Sequence, residues 1–168
     1  MNYLLLNADE FLATQQIAAL KEAMGDAEMA DLNTATLDGA QTSVSQLLGE
    51  ASMMPFLAER RLIIVRGLLT SLERRMSASK STDSAAHADA ALLLKSLGQI
   101  SDVTDLVLIE EKAIDKRRHL WKGFSQGDAN AVKVSGIADL IKSGDLTVSE
   151  QSTPDARDMP AWIRKRTQ

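Results

Sequence analysis

Leu62-Ile63-Ile64-Val65 is the stretch that decides the fold, because all four residues are apolar, three are β-branched and none carries a charge. A short run of this kind is typical of a strand that is buried on both faces. Leu106-Val107-Leu108-Ile109 has the same character, and residues 3–6 form a third apolar run. Weaker strand candidates cover residues 32–37 and 131–134. The sequence therefore predicts five strands.

Helical segments separate these strands. Apolar residues recur at helical spacing over residues 13–24 and again over residues 86–100. Ser43 and Gln46 have the spacing of a capping box ahead of another helix. Asp115 can cap a further helix that carries three apolar residues, Leu120, Trp121 and Phe124. Strands that alternate with helices indicate an α/β fold, with a mainly parallel five-stranded sheet and helices on both faces.

The last part of the chain differs in composition from the rest. Residues 143–158 are polar and lack useful periodicity, and Pro160 then stands where a helix containing Trp162 and Ile163 would begin. Fewer than about two turns follow, which is too short for a helix that stands alone. We therefore expect one domain over residues 1–142, a polar linker over 143–158, and the start of a truncated second domain over 159–168.

Composition argues against several classes of function. The 168 residues include no cysteine, so disulfides, thiol catalysis and Cys-ligated zinc are excluded. The net charge is −4, whereas a domain that binds DNA directly usually carries a basic surplus. No apolar stretch approaches the roughly 20 residues needed to cross a bilayer. We expect a cytoplasmic protein that contacts neither DNA directly nor a membrane.

The carboxyl ends of the strands are where a doubly wound sheet binds its ligands, and here they lack a phosphate cradle. The turn Asn7-Ala8-Asp9-Glu10 has neither the glycines nor the lysine that a cradle needs. Glu110 and Glu111 are either a magnesium-holding pair in a degenerate P-loop-type nucleotidase or two solvated acids, and we favour the second. His87 and His119 have no further ligand at metal-site spacing, so we expect both at the surface. We predict no catalytic residue, cofactor or metal site.

One segment fits neither helical nor strand periodicity. Met53-Met54-Pro55-Phe56-Leu57 concentrates large apolar residues beside a proline, just ahead of the strand at residues 62–65. The residues allow two interpretations, a loop that buries Phe56 in the core or an exposed apolar wedge. Exposed apolar patches commonly mark protein-binding sites, and methionine makes such patches adaptable. The segment is therefore the candidate binding site of this sequence.

Four motifs in this order resemble those of the delta subunits of bacterial DNA polymerase III clamp loaders. They are Tyr3-Leu4-Leu5-Leu6 with Asp9-Glu10-Phe11-Leu12, the run from Phe56 to Val65, Asp105 to Glu111 with Asp115-Lys116-Arg117, and Pro160-Ala161-Trp162-Ile163-Arg164-Lys165-Arg166. The resemblance covers essentially the whole chain. It implies an AAA+-like, RecA-type P-loop fold without a functional P-loop, followed by a lid domain.

The resemblance also implies a function and a site. In the family, this domain belongs to a non-catalytic subunit of the polymerase III holoenzyme. It presents two adjacent hydrophobic residues to the sliding clamp, the beta subunit, and opens one clamp interface for loading onto DNA during replication. By position these residues are Phe56 and Leu57, flanked by Met53, Met54 and Pro55. The order Phe-Leu replaces the commoner Leu-Phe, which could shift the wedge towards Met54. The other implied partners are the remaining loader subunits, with DNA contacted only indirectly.

Overall fold

The computed structural model describes residues 1–127 and 130–150. Strands and helices alternate through this part of the chain. In chain order they are β1 (Asn2–Leu6), α1 (Glu10–Ala23), α2 (Ala27–Leu32), β2 (Thr34–Asp38), α3 (Val44–Ala51), β3 (Arg61–Arg66), α4 (Leu68–Ala78), α5 (Ala85–Leu97), β4 (Thr104–Ile109), α6 (His119–Lys122), β5 (Gly123–Gln126), β6 (Val132–Ser135), α7 (Ile137–Ser143) and β7 (Thr147–Glu150).

Five strands form one parallel sheet in the order β2-β3-β4-β1-β7. The middle strand, β4, is buried at every position, and β3 is buried at its four apolar positions, Leu62 to Val65. Complete burial on both faces explains why these strands have no polar alternation in the sequence. The predicted α/β fold with a mainly parallel five-stranded sheet is confirmed.

The core has two parts, one on each face of the sheet. Alternate residues of a strand point to opposite faces, so Ile63 and Val65 join the larger cluster while Leu62 and Ile64 join the smaller one. Helices α3, α4 and α5 supply buried apolar residues to the larger cluster, and α1 covers the smaller cluster with Ala13. The capping box predicted at Ser43 is present at the start of α3. None of the helices among the described residues has the length and apolarity to span a bilayer.

The fifth strand of the sheet is not the one that the sequence predicted. The predicted strand at residues 131–134 exists as β6, but it pairs with β5 in a separate antiparallel hairpin. The edge of the main sheet is instead β7, which pairs with β1 and lies in the segment predicted to be a polar linker. An edge strand that is half exposed has little apolar signal, and β7 contains one apolar residue, Val148. The division into domains stays a prediction, because residues 151–168 lie outside the described residues.

The helix predicted after Asp115 is shorter than expected and begins later. Helix α6 starts beyond Arg118, and Phe124 belongs to β5 rather than to the helix. Gly123 ends the helix at φ 91°, and a Cβ added there would lie 2.4 Å from the carbonyl oxygen of Val134. The close approach of these two backbones requires glycine. Asp115 does not cap α6; its carboxylate accepts hydrogen bonds from the backbone and guanidinium of Arg117.

Candidate functional site

The candidate binding segment lies in the wedge loop, which we define as residues 52–60 between α3 and β3. Its large apolar side chains are exposed: Met53 by 52%, Met54 by 75%, Phe56 by 61% and Leu57 by 78%. Pro55 between them is half-buried. The interpretation that the loop buries Phe56 in the core is therefore wrong. The structure brings all five predicted residues together on one exposed loop.

A buried asparagine fixes the middle of the wedge loop. Asn33 is 0% exposed and ends α2. Its Oδ1 accepts a hydrogen bond from the backbone N–H of Phe56 at 2.6 Å, and its Nδ2 donates to the carbonyl oxygen of Phe56 at 2.9 Å. The same Nδ2 donates to the carbonyl oxygen of Met29 at 2.8 Å. One side chain thus satisfies both backbone polar groups of Phe56 and leaves the phenyl ring exposed.

The backbone of Leu57 adopts an uncommon conformation next to this contact. Its φ is 50°, in the left-handed region that non-glycine residues rarely occupy. Such a conformation costs on the order of 1–2 kcal/mol and persists only where the surroundings impose it. Here the neighbouring peptide of Phe56 is held by Asn33. The loop conformation is therefore set by contacts with the core.

Ion pairs fix the end of the loop where it enters β3. Arg60 donates two hydrogen bonds to Asp105, at 2.9 and 2.6 Å, and the ammonium of Met1 lies 3.1 Å from the same carboxylate. Burial alone would raise the pKa of Asp105, but the hydrogen bonds from Arg60 and Met1 outweigh it and hold that pKa below its ordinary value. Arg61 pairs with Glu50 of α3 at 2.6 Å. The β3 end of the loop is thus joined to β4 and to α3.

The turn after β1 does not form a phosphate cradle. Asp9 accepts a hydrogen bond from the backbone N–H of Phe11 and caps α1. Glu10 forms two hydrogen bonds with the guanidinium of Arg66 at the end of β3, at 3.0 and 3.2 Å. Both carboxylates of the turn thus have structural partners.

A cleft of about 680 Å³ lies at the carboxyl ends of β2, β3 and β4, where Arg66 forms part of its lining. Its lining includes acids and bases in equal number: Asp38, Glu110, Glu111, Arg66, Arg74 and Lys112. The formal charges of this lining therefore sum to zero, unlike the basic lining of a phosphate-binding site.

Glu110 in this cleft is not the solvated acid that the sequence predicted. It is 0% exposed, and its carboxylate accepts hydrogen bonds from the backbone N–H of Leu69 at 2.7 Å and from the hydroxyl of Thr70 at 2.7 Å. Helix α4 begins after Gly67, which has no side chain to cap it, so Glu110, the residue after β4, supplies the cap. Burial raises the pKa of Glu110, and these hydrogen bonds offset only part of the rise. Both of its oxygens are engaged by α4, while Glu111 is exposed.

The two histidines occupy different environments. His119 is exposed, as predicted, but the prediction for His87 is wrong because it is only 3% exposed. Its Nδ1 lies 2.7 Å from the hydroxyl of Ser84, and its ring packs edge-on against Phe124 at 5.3 Å. Burial lowers the pKa of His87, so the neutral ring is favoured in this core position. In residues 1–127 and 130–150, no three potential ligands cluster in a way that could hold a metal ion.

Comparisons with known proteins place this geometry in context. The sequence model of the family described as DNA polymerase III, delta subunit, matches residues 3–135. Among solved structures, the DNA clamp loader delta protein of Bacillus subtilis (YqeN) matches with a TM-score of 0.58 at 18% sequence identity. That match covers 90% of this chain and 39% of the Bacillus protein, and it confirms the α/β fold with a mainly parallel five-stranded sheet. No curated protein sequence matches significantly.

The burial of Glu110 generates a prediction about pH. The folded-state pKa of Glu110 lies above its ordinary value of 4.5, so the folded protein binds this proton more tightly than the unfolded chain does. The contribution of Glu110 to the free energy of unfolding is therefore largest below about pH 4.5 and falls as the pH rises through the folded pKa. Urea titrations of the wild type and Glu110→Gln over a pH series should show the stability advantage of the wild type shrinking as pH rises. Glu111→Gln is the matched control for loss of one negative charge. An advantage that grew with pH would contradict the assignment.

The role of Asn33 generates a second prediction. Asn33→Ala removes the partners of both backbone groups of Phe56, so it should lower the free energy of unfolding by about 1–3 kcal/mol in chemical denaturation. Asn33→Asp keeps the acceptor for the N–H of Phe56 but loses the donor to its carbonyl oxygen, and it should also be destabilising. A denaturation midpoint of Asn33→Ala equal to that of the wild type would show that the amide does not hold the loop.

Proposed function

This chain belongs to the DNA polymerase III delta subunit family, and we propose that it is the part of a clamp-loader subunit that binds the sliding clamp. In this proposal the domain has no catalytic activity of its own and acts in the cytoplasm, as a non-catalytic subunit of the polymerase III holoenzyme. It binds the clamp, the beta subunit, through Phe56 and Leu57, with Met53, Met54 and Pro55 alongside. It thereby helps to open the clamp for loading onto DNA during replication.

The observation that carries this proposal is the exposed and pre-formed wedge loop. Hot spots in protein interfaces are few, central and often aromatic, and Phe56 offers an exposed aromatic ring at the centre of an apolar segment. Binding with such a loop loses little conformational entropy, because Asn33 already holds the peptide of Phe56. Membership of the delta subunit family suggests the sliding clamp as the partner. The exposure of the wedge loop supports this loop as the segment that contacts the clamp.

The mechanism is a population shift rather than chemistry. If the wedge loop binds the open form of a clamp interface more tightly than the closed form, its differential binding energy favours opening. The amount of opening is limited by that difference in affinity. The alternative, a degenerate nucleotidase that uses Glu110 and Glu111, gains no support from the geometry, because the oxygens of Glu110 accept hydrogen bonds from α4.

We also expect the full-length protein to contact the other clamp-loader subunits, as the family implies. The chain spans 39% of the length of the Bacillus subtilis clamp loader delta protein, so the remaining loader subunits are expected to meet other parts of the full-length protein. The net charge of −4 supports only indirect contact with DNA.

The central prediction concerns the two wedge residues. The double variant Phe56→Ser/Leu57→Ser should weaken clamp binding by roughly 3–5 kcal/mol, or about a hundred- to several-thousand-fold. Thermal stability should change little, because both side chains are exposed. Titration of the clamp and thermal melts on the same samples measure both quantities.

A matched control removes two exposed apolar side chains elsewhere. Leu92 is 42% exposed on α5 and Val132 is 53% exposed on β6, so the double variant Leu92→Ser/Val132→Ser should bind the clamp as the wild type does. Wild-type affinity in a folded Phe56→Ser/Leu57→Ser variant would refute the wedge assignment. A large drop in its melting temperature would instead give these residues a structural role.

A further inference from the structure

The wedge loop is not the whole of the exposed apolar surface in its region. We propose that the last residue of α2, Leu32, forms a second part of the clamp-binding surface, joined to the wedge loop through Asn33. This inference rests on the proposed function, because it assigns Leu32 to the same partner, the apolar surface of the sliding clamp. It extends the interface from one loop to two segments that are distant in sequence.

The distribution of exposed apolar side chains supports this extension. Among the described residues, the large apolar side chains that are exposed are Met1, Phe11, Leu32, Met53, Met54, Phe56, Leu57, Leu92 and Val132. Four of them lie in the wedge loop, and Leu32 directly precedes the asparagine that bonds to that loop. The remaining four are on separate elements: the N-terminus, α1, α5 and β6. The wedge loop and the end of α2 thus contain most of the exposed large apolar side chains among the described residues.

The hydrogen bonds of Asn33 limit how far Leu32 can lie from the wedge. Neighbouring Cα atoms are about 3.8 Å apart, and an asparagine side chain extends about 3.6 Å from Cα to Oδ1. With the 2.6 Å from Oδ1 to the backbone nitrogen of Phe56, the Cα of Leu32 is at most about 10 Å from that nitrogen. A standard interface buries about 800 Å² on each partner, so the two segments are close enough for one interface to contact both.

Leu32 lies exposed at the end of a short helix. Helix α2 is six residues long, and Ala30 is its buried residue. Asn33 then closes the helix, donating its backbone N–H to the carbonyl oxygens of Met29 and Ala30. Leu32 is left 60% exposed, although burying a leucine side chain is favourable. Contact with a partner would provide part of that burial.

Ion pairs lie beside both segments in sequence, where a polar rim would be expected. Asp31, next to Leu32, pairs with Lys21 of α1 at 2.9 Å, and Glu50, two residues before the wedge loop, pairs with Arg61. A polar rim around an apolar centre is the usual anatomy of a specific interface. Two contacts on different elements also fix the angle of approach, which a single loop contact does not.

The test replaces Leu32 with glutamine, which has nearly the same helix propensity and does not disturb α2. Leu32→Gln should weaken binding of the sliding clamp about 5- to 30-fold, the range expected for a contributing residue beside the main hot spot. Leu92→Gln, at an exposed leucine on α5, is the matched control and should leave the affinity unchanged. Thermal melts of both variants should stay close to the wild type.

The outcomes separate this inference from the proposed function. If Phe56→Ser/Leu57→Ser loses binding while Leu32→Gln binds as the wild type does, the wedge stands and the second segment is overturned. If Leu32→Gln and Leu92→Gln weaken binding equally, the effect is not local and the inference is also overturned. If the wild-type chain does not bind the clamp at all, the proposed function fails, and this inference fails with it.

Discussion

The pair of hydrogen bonds between the Asn33 side chain and the backbone of Phe56 is the contact on which the exposed surface of this domain depends. A buried amide must satisfy its donors and its acceptor, and here the partner is a loop rather than another core element. Moving the loop would leave the buried Asn33 amide without partners, and this free-energy cost stabilises the observed loop conformation. Rigidity of the apolar wedge follows from a polar group in the interior.

The same physical requirement explains the carboxyl edge of the sheet. Helix α4 begins with backbone N–H groups that need acceptors, and Gly67 cannot supply one. Glu110, the residue after β4, provides the acceptor and is therefore a buried structural residue. The edge of the sheet where doubly wound sheets bind ligands is thus used here to join a strand to a helix.

Apolar periodicity predicted several of the elements that depend on apolar burial, although helix α4, with four buried apolar residues, was not predicted. Strands β3 and β4 were predicted because their residues are buried on both faces, and the capping box at Ser43 was predicted because its two partners are three residues apart. Helix α2 and the edge strand β7 were not predicted, because short elements and half-exposed strands have little periodic signal. Hydrogen bonds between residues far apart in sequence cannot be predicted from local patterns. Asn33 and Phe56 are 23 positions apart, and Thr70 and Glu110 are 40 positions apart. The burial of His87 was missed for the same reason, since Phe124 packs against it from another element.

The bond from the Phe56 N–H to Asn33 has a practical consequence for spectroscopy. An amide in an exposed loop normally exchanges with solvent deuterium within seconds, yet this one is donated to a side chain with 0% exposure. Its exchange rate reports opening of a contact with the core rather than fluctuation of a surface segment. The backbone amide resonance of Phe56 therefore reports whether the wedge loop keeps its bond to Asn33. It can be followed in the isolated domain before any partner is added.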